Sequence, residues 1–245
     1  MRRPPTGKRK RKDVITWSKL LTSSEQQLIF SYLQGGLCDA INKKFINPNL
    51  VNARRMLLIY EIFLCTGLRG TELAQLRVQD TPSVLGVNMI EVYRGKYDKD
   101  RTIPVSQRIV DEIESYIKNV RPKTIPRHIK RSDISKPLFY NKRGHPYTQQ
   151  FKYVNKKTGE VETRTRASTA LYRKIRRLGK HAGITKRLHP HMLRHSFATN
   201  ALLNGVDIYM LKELMGHSDI GVTAKYLHIV NAQLEGLGEK LDRVF

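Results

Sequence analysis

His191, Arg194, His217 and Tyr226 fall within one stretch of the chain, Leu188 to His228, and their side chains suit chemistry on a phosphodiester. A tyrosine hydroxyl attacks a backbone phosphorus only if the charge gathering on the non-bridging oxygens is neutralised, and Arg and His donate hydrogen bonds to such oxygens. Tyr226 is therefore the candidate nucleophile. His191-x-x-Arg194 alone carries little, because any basic helix presents such pairs on a solvated face. Upstream, Arg69 stands between Gly67 and Gly70, where the chain must turn sharply between an apolar run and a new helical pattern. Lys96 lies in a Gly95-Lys96-Tyr97-Asp98-Lys99 turn.

Taken in order, Arg69, Lys96, His191, Arg194, His217 and Tyr226 resemble the active site of the tyrosine recombinases, the phage-integrase and Xer family. TGLRGTEL around Arg69, HPHMLRHSFAT around His191 and Arg194, and LMGHSDIGVTAKYLH from His217 to Tyr226 match its motifs almost letter for letter. The likeness runs from about Leu20 to the C-terminus. It implies that Arg69 and Arg194 clamp the scissile phosphate, that Lys96 protonates the leaving 5′ oxygen, that His191 manages the nucleophile's proton, and that His217 is a further phosphate donor. Lys99 is the second choice for the lysine. Glu72, one turn after Arg69, would brace that guanidinium.

The implied fold is mainly α with a small antiparallel β-sheet (α+β), the tyrosine recombinase catalytic-domain fold, over residues 20–230. Residues 1–19 read as a basic flexible arm and 231–245 as a C-terminal helix. Attack by Tyr226 would leave a 3′-phosphotyrosyl link and a free 5′-hydroxyl. Because the ester stores the bond energy, a hydroxyl from another duplex can reverse the step without ATP, so no cofactor and no metal are expected. The partners implied are double-stranded DNA, a homo-tetramer formed on it, and accessory DNA-binding proteins. The outcome would be integration, excision, inversion or resolution.

Composition agrees. Forty-five Lys and Arg against 21 Asp and Glu give a net charge of +24, which favours a polyanionic partner and salt-sensitive binding. No apolar run approaches the ~20 residues of a spanning helix, and the charge is spread along the chain, which disfavours a membrane. MRRPPTGKRKRK leads into no apolar h-region, so a cytoplasmic protein is expected, nucleoid-associated in a bacterial or archaeal host. Cys38 and Cys65 lack any paired spacing, which fits a reducing compartment.

These residues must be held by the elements around them. Ser24 and Gln27 have capping-box spacing ahead of Leu28, Ile29, Tyr32 and Leu33 on one helical face, with Gly35-Gly36 read as the end. Asn52 to Thr66 is the most apolar helical stretch, stopped by Gly67. A short helix through Leu76 follows, then two strands, Val84 to Tyr93 and Arg101 to Val105, joined through Gly95 so that Lys96 sits on a hairpin turn. Ser106 to Val120 reads as a helix, Leu138-Phe139-Tyr140 as strand-like, and Phe151 to Thr165 as a hairpin turning at Thr158-Gly159. That hairpin is read as an incidental surface feature or as an insertion contacting DNA or a partner. Ala167 to Ala182 is a helix with Arg173, Lys174, Arg176, Arg177 and Lys180 opposite Leu171, Ile175 and Leu178; the resemblance lays it along DNA. Three helices close the chain: His191 to Asn204, Asp207 to Met215, and Ile220 to about His228.

Other readings compete. Asp207 to Leu227 also has the form of a helix-turn-helix, which would make a regulator without chemistry, but that reading gives Arg69, Lys96 and the His191/Arg194 pair no task. His191 and His195, at i, i+4, suggest zinc, yet no third ligand is in view and such a pair more often packs or binds phosphate. A type IB topoisomerase shares the chemistry but lacks the HxxR form and the GHS segment. Family members usually carry a separate core-binding domain, and only about twenty residues precede the catalytic domain here. The chain is therefore expected to be a catalytic fragment or a minimal recombinase. Residues 231–245 would dock on a neighbouring protomer or fold onto their own domain.

Overall fold

A computed structural model of the chain describes residues 15–42, 48–93, 100–155, 158–228 and 230–231. Helix α1 spans Ser23–Asn42, α2 Pro48–Thr66, α3 Gly70–Gln75 and α4 Pro82–Leu85. Strands β1 (Met89–Val92) and β2 (Arg101–Pro104) form one antiparallel pair, with Ile90 opposite Ile103. Helix α5 (Gln107–Ser115) leads to a second pair, β3 (Thr148–Val154) and β4 (Val161–Ala167). The chain continues through α6 (Thr169–His181), α7 (Pro190–Leu203), α8 (Ile208–Met215) and α9 (Ile220–Ala224). The mainly helical architecture with small antiparallel sheets is the one expected.

Helix α2 is the centre. Its residues from Arg55 to Phe63 are buried on every side, and it packs against α1 and α7. A helix buried all round belongs in a core, and α2 joins strands, α3 and α6 in one large cluster that includes Leu73, Ile90, Ile103, Leu171 and Leu193. A smaller cluster holds Ile15, Leu20, Ala198, Leu211, Met215 and Tyr226. Ile15, read from sequence as part of the arm, is thus buried in the domain, and Leu21 N donates to Ser196 Oγ at 2.9 Å. The rest of the arm and residues 232–245 lie outside the described residues.

Several local expectations are corrected. Thr22 and Glu25 make the reciprocal cap of α1, Glu25 N to Thr22 Oγ1 and Thr22 N to Glu25 Oε2, in place of Ser24 and Gln27. The helix also runs through Gly35-Gly36 to Asn42. A helical glycine costs only about 1 kcal/mol, which the burial of Ile29 and Leu33 against α2 outweighs. Val84 and Leu85 are helical, because Pro82 opens α4 at a position suited to proline and Gly86 closes it at φ +71°, so the first strand starts only at Met89. The helix from Ser106 ends its α-form at Ser115 and widens to a π-turn over Tyr116–Val120. Leu138-Phe139-Tyr140 makes only an isolated bridge, Tyr140 with Pro146. Helix α9 ends at Ala224, and Tyr226 sits in the turn after it, its N–H bonded to Thr223 O. No described helix is long and apolar enough to cross a membrane.

Candidate active site

Gly67, at φ +61°, ends α2 and turns the chain so that Arg69 becomes the N-cap of α3; a side chain there would run into the Phe197 ring. The guanidinium of Arg69 is held from two sides. Nη1 donates to Glu72 Oε1 at 2.8 Å and Nη2 to the carbonyl of Gly216 at 3.1 Å, while the side chain keeps 35% of its exposure. Glu72, 8% exposed, also accepts from the Arg69 backbone N–H at 2.7 Å. Glu72 thus bonds both the backbone and the side chain of Arg69.

Arg101, at the start of β2, is a residue that the sequence reading missed. Its two terminal nitrogens bond the two oxygens of Glu72 at 3.1 and 2.9 Å, and its Nε donates to the carbonyl of Leu214 at 2.7 Å. Burial works to raise the Glu72 pKa, but the hydrogen bonds and charge of Arg101, joined by Arg69, outweigh it and hold the carboxyl at about 2.

Helix α7 is started by His189, whose Nδ1 accepts from Met192 N, and by Pro190 in the first turn. One turn on, Arg194 points inward with 5% exposure. Its Nη1 donates to Gly67 O and its Nη2 to Met215 O, each at 2.6 Å. Leu214, Met215 and Gly216 at the end of α8 thus each give a carbonyl to a different arginine: Arg101, Arg194 and Arg69. Such carbonyls are the negative end of a helix and welcome cations. Burial, with the charge of Arg69, lowers the Arg194 pKa to about 9, so it stays protonated at neutral pH. Arg194 Nη2 also meets His217 Nε2 at 3.0 Å, and His217 Nδ1 meets Thr223 Oγ1 at 2.9 Å. An arginine can only donate, so His217 carries its proton on Nδ1 and gives it to Thr223.

Tyr226 is 2% exposed, and its hydroxyl lies 2.8 Å from Nδ1 of His195. Burial raises the phenol pKa to about 12 against the opposing pull of Arg194. Burial also lowers His195 to about 4, helped by the nearby charges of His191 and Arg194. His191 is exposed at the rim, its pKa lowered by desolvation, then by Arg194 and Arg69.

Arg69, His191, Arg194, His195, His217 and Tyr226 line one cavity of about 250 Å³. Five of the six residues expected to act together are thereby brought to one place. Lys96 lies outside the described residues, as does Lys99; the strands that flank them are in place. On α6, Arg173, Arg176, Arg177 and Lys180 are exposed at helical spacing and do not line this cavity. Lys174 is half-buried and donates to Asn52 Oδ1 on α2 at 2.8 Å. The helix-turn-helix reading finds no support, since the turn between α8 and α9 is built into the arginine cluster. His195 was visible in sequence only as the i+4 partner of His191.

Residues 37–233 match the family model described as the phage integrase family. The chain is 33% identical over 183 residues to tyrosine recombinase XerD of Staphylococcus haemolyticus, covering 75% of this chain and 53% of that protein. A XerD of Staphylococcus aureus is 31% identical over 186 residues, covering 76% and 54%. The chain spans about half the length of the curated relatives it matches. Among solved structures, XerA recombinase superposes with a TM-score of 0.63 at 26% identity, covering 90% of this chain and 64% of that one. The Tn1549 transposon integrase in complex with transposon right end DNA superposes with a TM-score of 0.62 at 21% identity, covering 93% and 68%. The chain belongs to the phage integrase family.

Proposed function

We propose that this chain is the catalytic part of a site-specific recombinase that cuts and rejoins double-stranded DNA through Tyr226. The observation that carries this reading is the convergence of Arg69, Arg194, His191 and His217 with a tyrosine around one cavity. The Tyr226 oxygen forms a bond to phosphorus as the bond from phosphorus to the 5′ oxygen breaks. Arg69 and Arg194 hold the charge on the non-bridging oxygens, and their own partners keep them from relaxing away, with His217 Nε2 fixing the Arg194 guanidinium. His191 at the rim handles the phenolic proton, and Lys96 supplies one to the departing 5′ oxygen. The exposed basic face of α6 follows the DNA backbone. Exchange between two duplexes needs four tyrosines and therefore four copies on DNA, with accessory proteins choosing the outcome.

The test is formation of a denaturation-resistant adduct on nicked half-site duplexes cut from the DNA that flanks the protein's own gene. Wild type should form it, with the link mapped by peptide mass to Tyr226, and Tyr226→Phe should bind DNA but form none. No adduct with wild type, or an adduct that persists in Tyr226→Phe, would overturn the reading.

A further inference from the structure

We infer that His195 is a positioning residue for the nucleophile, its Nδ1 accepting the hydrogen bond of the Tyr226 hydroxyl and fixing where that oxygen points. The inference rests on Tyr226 being the nucleophile and assigns a role to the residue that touches it.

The contact is specific. Nδ1 and the phenolic oxygen are 2.8 Å apart, and the two rings are tilted by 51° with centroids 5.6 Å apart, so they are not stacked. The tyrosine ring is enclosed by Ile15, Leu20, Ala198, Leu211 and Met215, which leaves rotation of the hydroxyl to be settled by a hydrogen bond. A buried hydroxyl without a partner is costly, so the contact fixes the oxygen as well as satisfying it. His191 makes no such contact in this arrangement. It stands one turn earlier on the same helix, at the rim of the cavity.

The direction of the bond follows from chemistry. A phenol with its pKa raised to about 12 is a donor at neutral pH, and an imidazole with its pKa lowered to about 4 is neutral and offers a lone pair. The groups that bear on His195 are His191, Arg194 and His189 on its own helix, Lys19 from the N-terminal turn, and Tyr226 opposite. Arg69 and Lys225 line the same cavity. These neighbours oppose a second positive charge, so the proton stays on the phenol while His195 orients it. With the phenol held above its ordinary value and the imidazole below its own, His195 is a poor acceptor of the proton itself. Its task is geometry, and a misplacement of about 1 Å can cost on the order of 100-fold in rate.

Two substitutions separate geometry from proton transfer. Asparagine places Oδ1 near the position of Nδ1 and accepts a hydrogen bond but does not titrate; phenylalanine keeps the ring and removes the acceptor. Single-turnover adduct formation on the nicked half-site duplexes would be followed from pH 5.5 to 8, with DNA affinity and melting temperature measured for each variant. His195→Asn should cleave within about threefold of wild type with the same pH profile. His195→Phe should be slower by about tenfold or more with DNA affinity within about twofold. His195→Gln, whose acceptor lies further out, should resemble the phenylalanine variant. If His195→Asn is as slow as His195→Phe and loses a limb of the pH profile, His195 is a proton acceptor and the positioning role is wrong. If His195→Phe cleaves as fast as wild type or faster, the contact has no productive role. Absence of an adduct from wild type itself would instead remove the recombinase reading, and this inference with it.

Discussion

Arg101 sets its two terminal nitrogens on the two carboxylate oxygens of Glu72, joining the start of β2 to the residue that bonds Arg69. Both side chains are 8% exposed. With Arg101 in place, the Glu72 carboxylate is occupied, and Arg194 stays 3.9 Å from it, bonded to backbone carbonyls.

Arg101→Met should therefore leave a buried carboxylate short of its main partner and lower stability by about 3 kcal/mol, a size seen when a buried ion pair is broken from one side. Glu72→Gln combined with Arg101→Met should recover part of that loss, because no charge is then stranded. Thermal denaturation of the two singles and the double variant measures the coupling. Additive losses would show that Arg101 and Glu72 do not act on one another.

The lysine assignment is open to a chemical test. A 5′-alkoxide needs a proton as it departs, whereas a 5′-thiolate does not. Lys96→Ala should be severely slowed on ordinary DNA and regain most of its rate when sulfur replaces the 5′ bridging oxygen. Arg194→Ala should stay slow on both substrates, its part being charge on the non-bridging oxygens. Recovery by Lys99→Ala instead would move the role to Lys99.

Stability should fall on mild acidification, and His195 gives the sign. Its folded-state pKa of about 4 lies below the ordinary 6.5, so the unfolded chain takes up a proton at a pH where the folded one does not. The loss therefore develops as pH falls from about 6.5 to about 4. Glu72, held at about 2, adds a separate loss that begins near 4.5 and is complete below 2. Melting temperatures across this range should drop less steeply for His195→Asn than for wild type between pH 6.5 and 4; equal slopes would show that His195 is not the group responsible.

Most of the cavity was legible because its residues sit in short contiguous motifs: Arg69 between glycines, His191 and Arg194 one turn apart, His217 and Tyr226 around a five-residue helix. What escaped depends on contacts between distant segments. Nothing near Arg101 announces that it will reach Glu72 on another element, and the local sequence of His195 is equally compatible with packing. The helix through Gly35-Gly36 was lost for a related reason, since its continuation is decided by α2 rather than by its own glycines. Val84 was misread because its β-branched side chain outweighed the stronger signals of Pro82 and Gly86 on either side.

Ile15 and Leu20 share one apolar cluster with Tyr226, so the tyrosine's surroundings are drawn from opposite ends of the described chain. Contacts so far apart in sequence form late, after the loop between them has closed. On a translating ribosome the early wall waits, exposed, for a tyrosine that emerges near the end of synthesis. A polypeptide interrupted before residue 226 lacks the tyrosine that the proposed reaction needs.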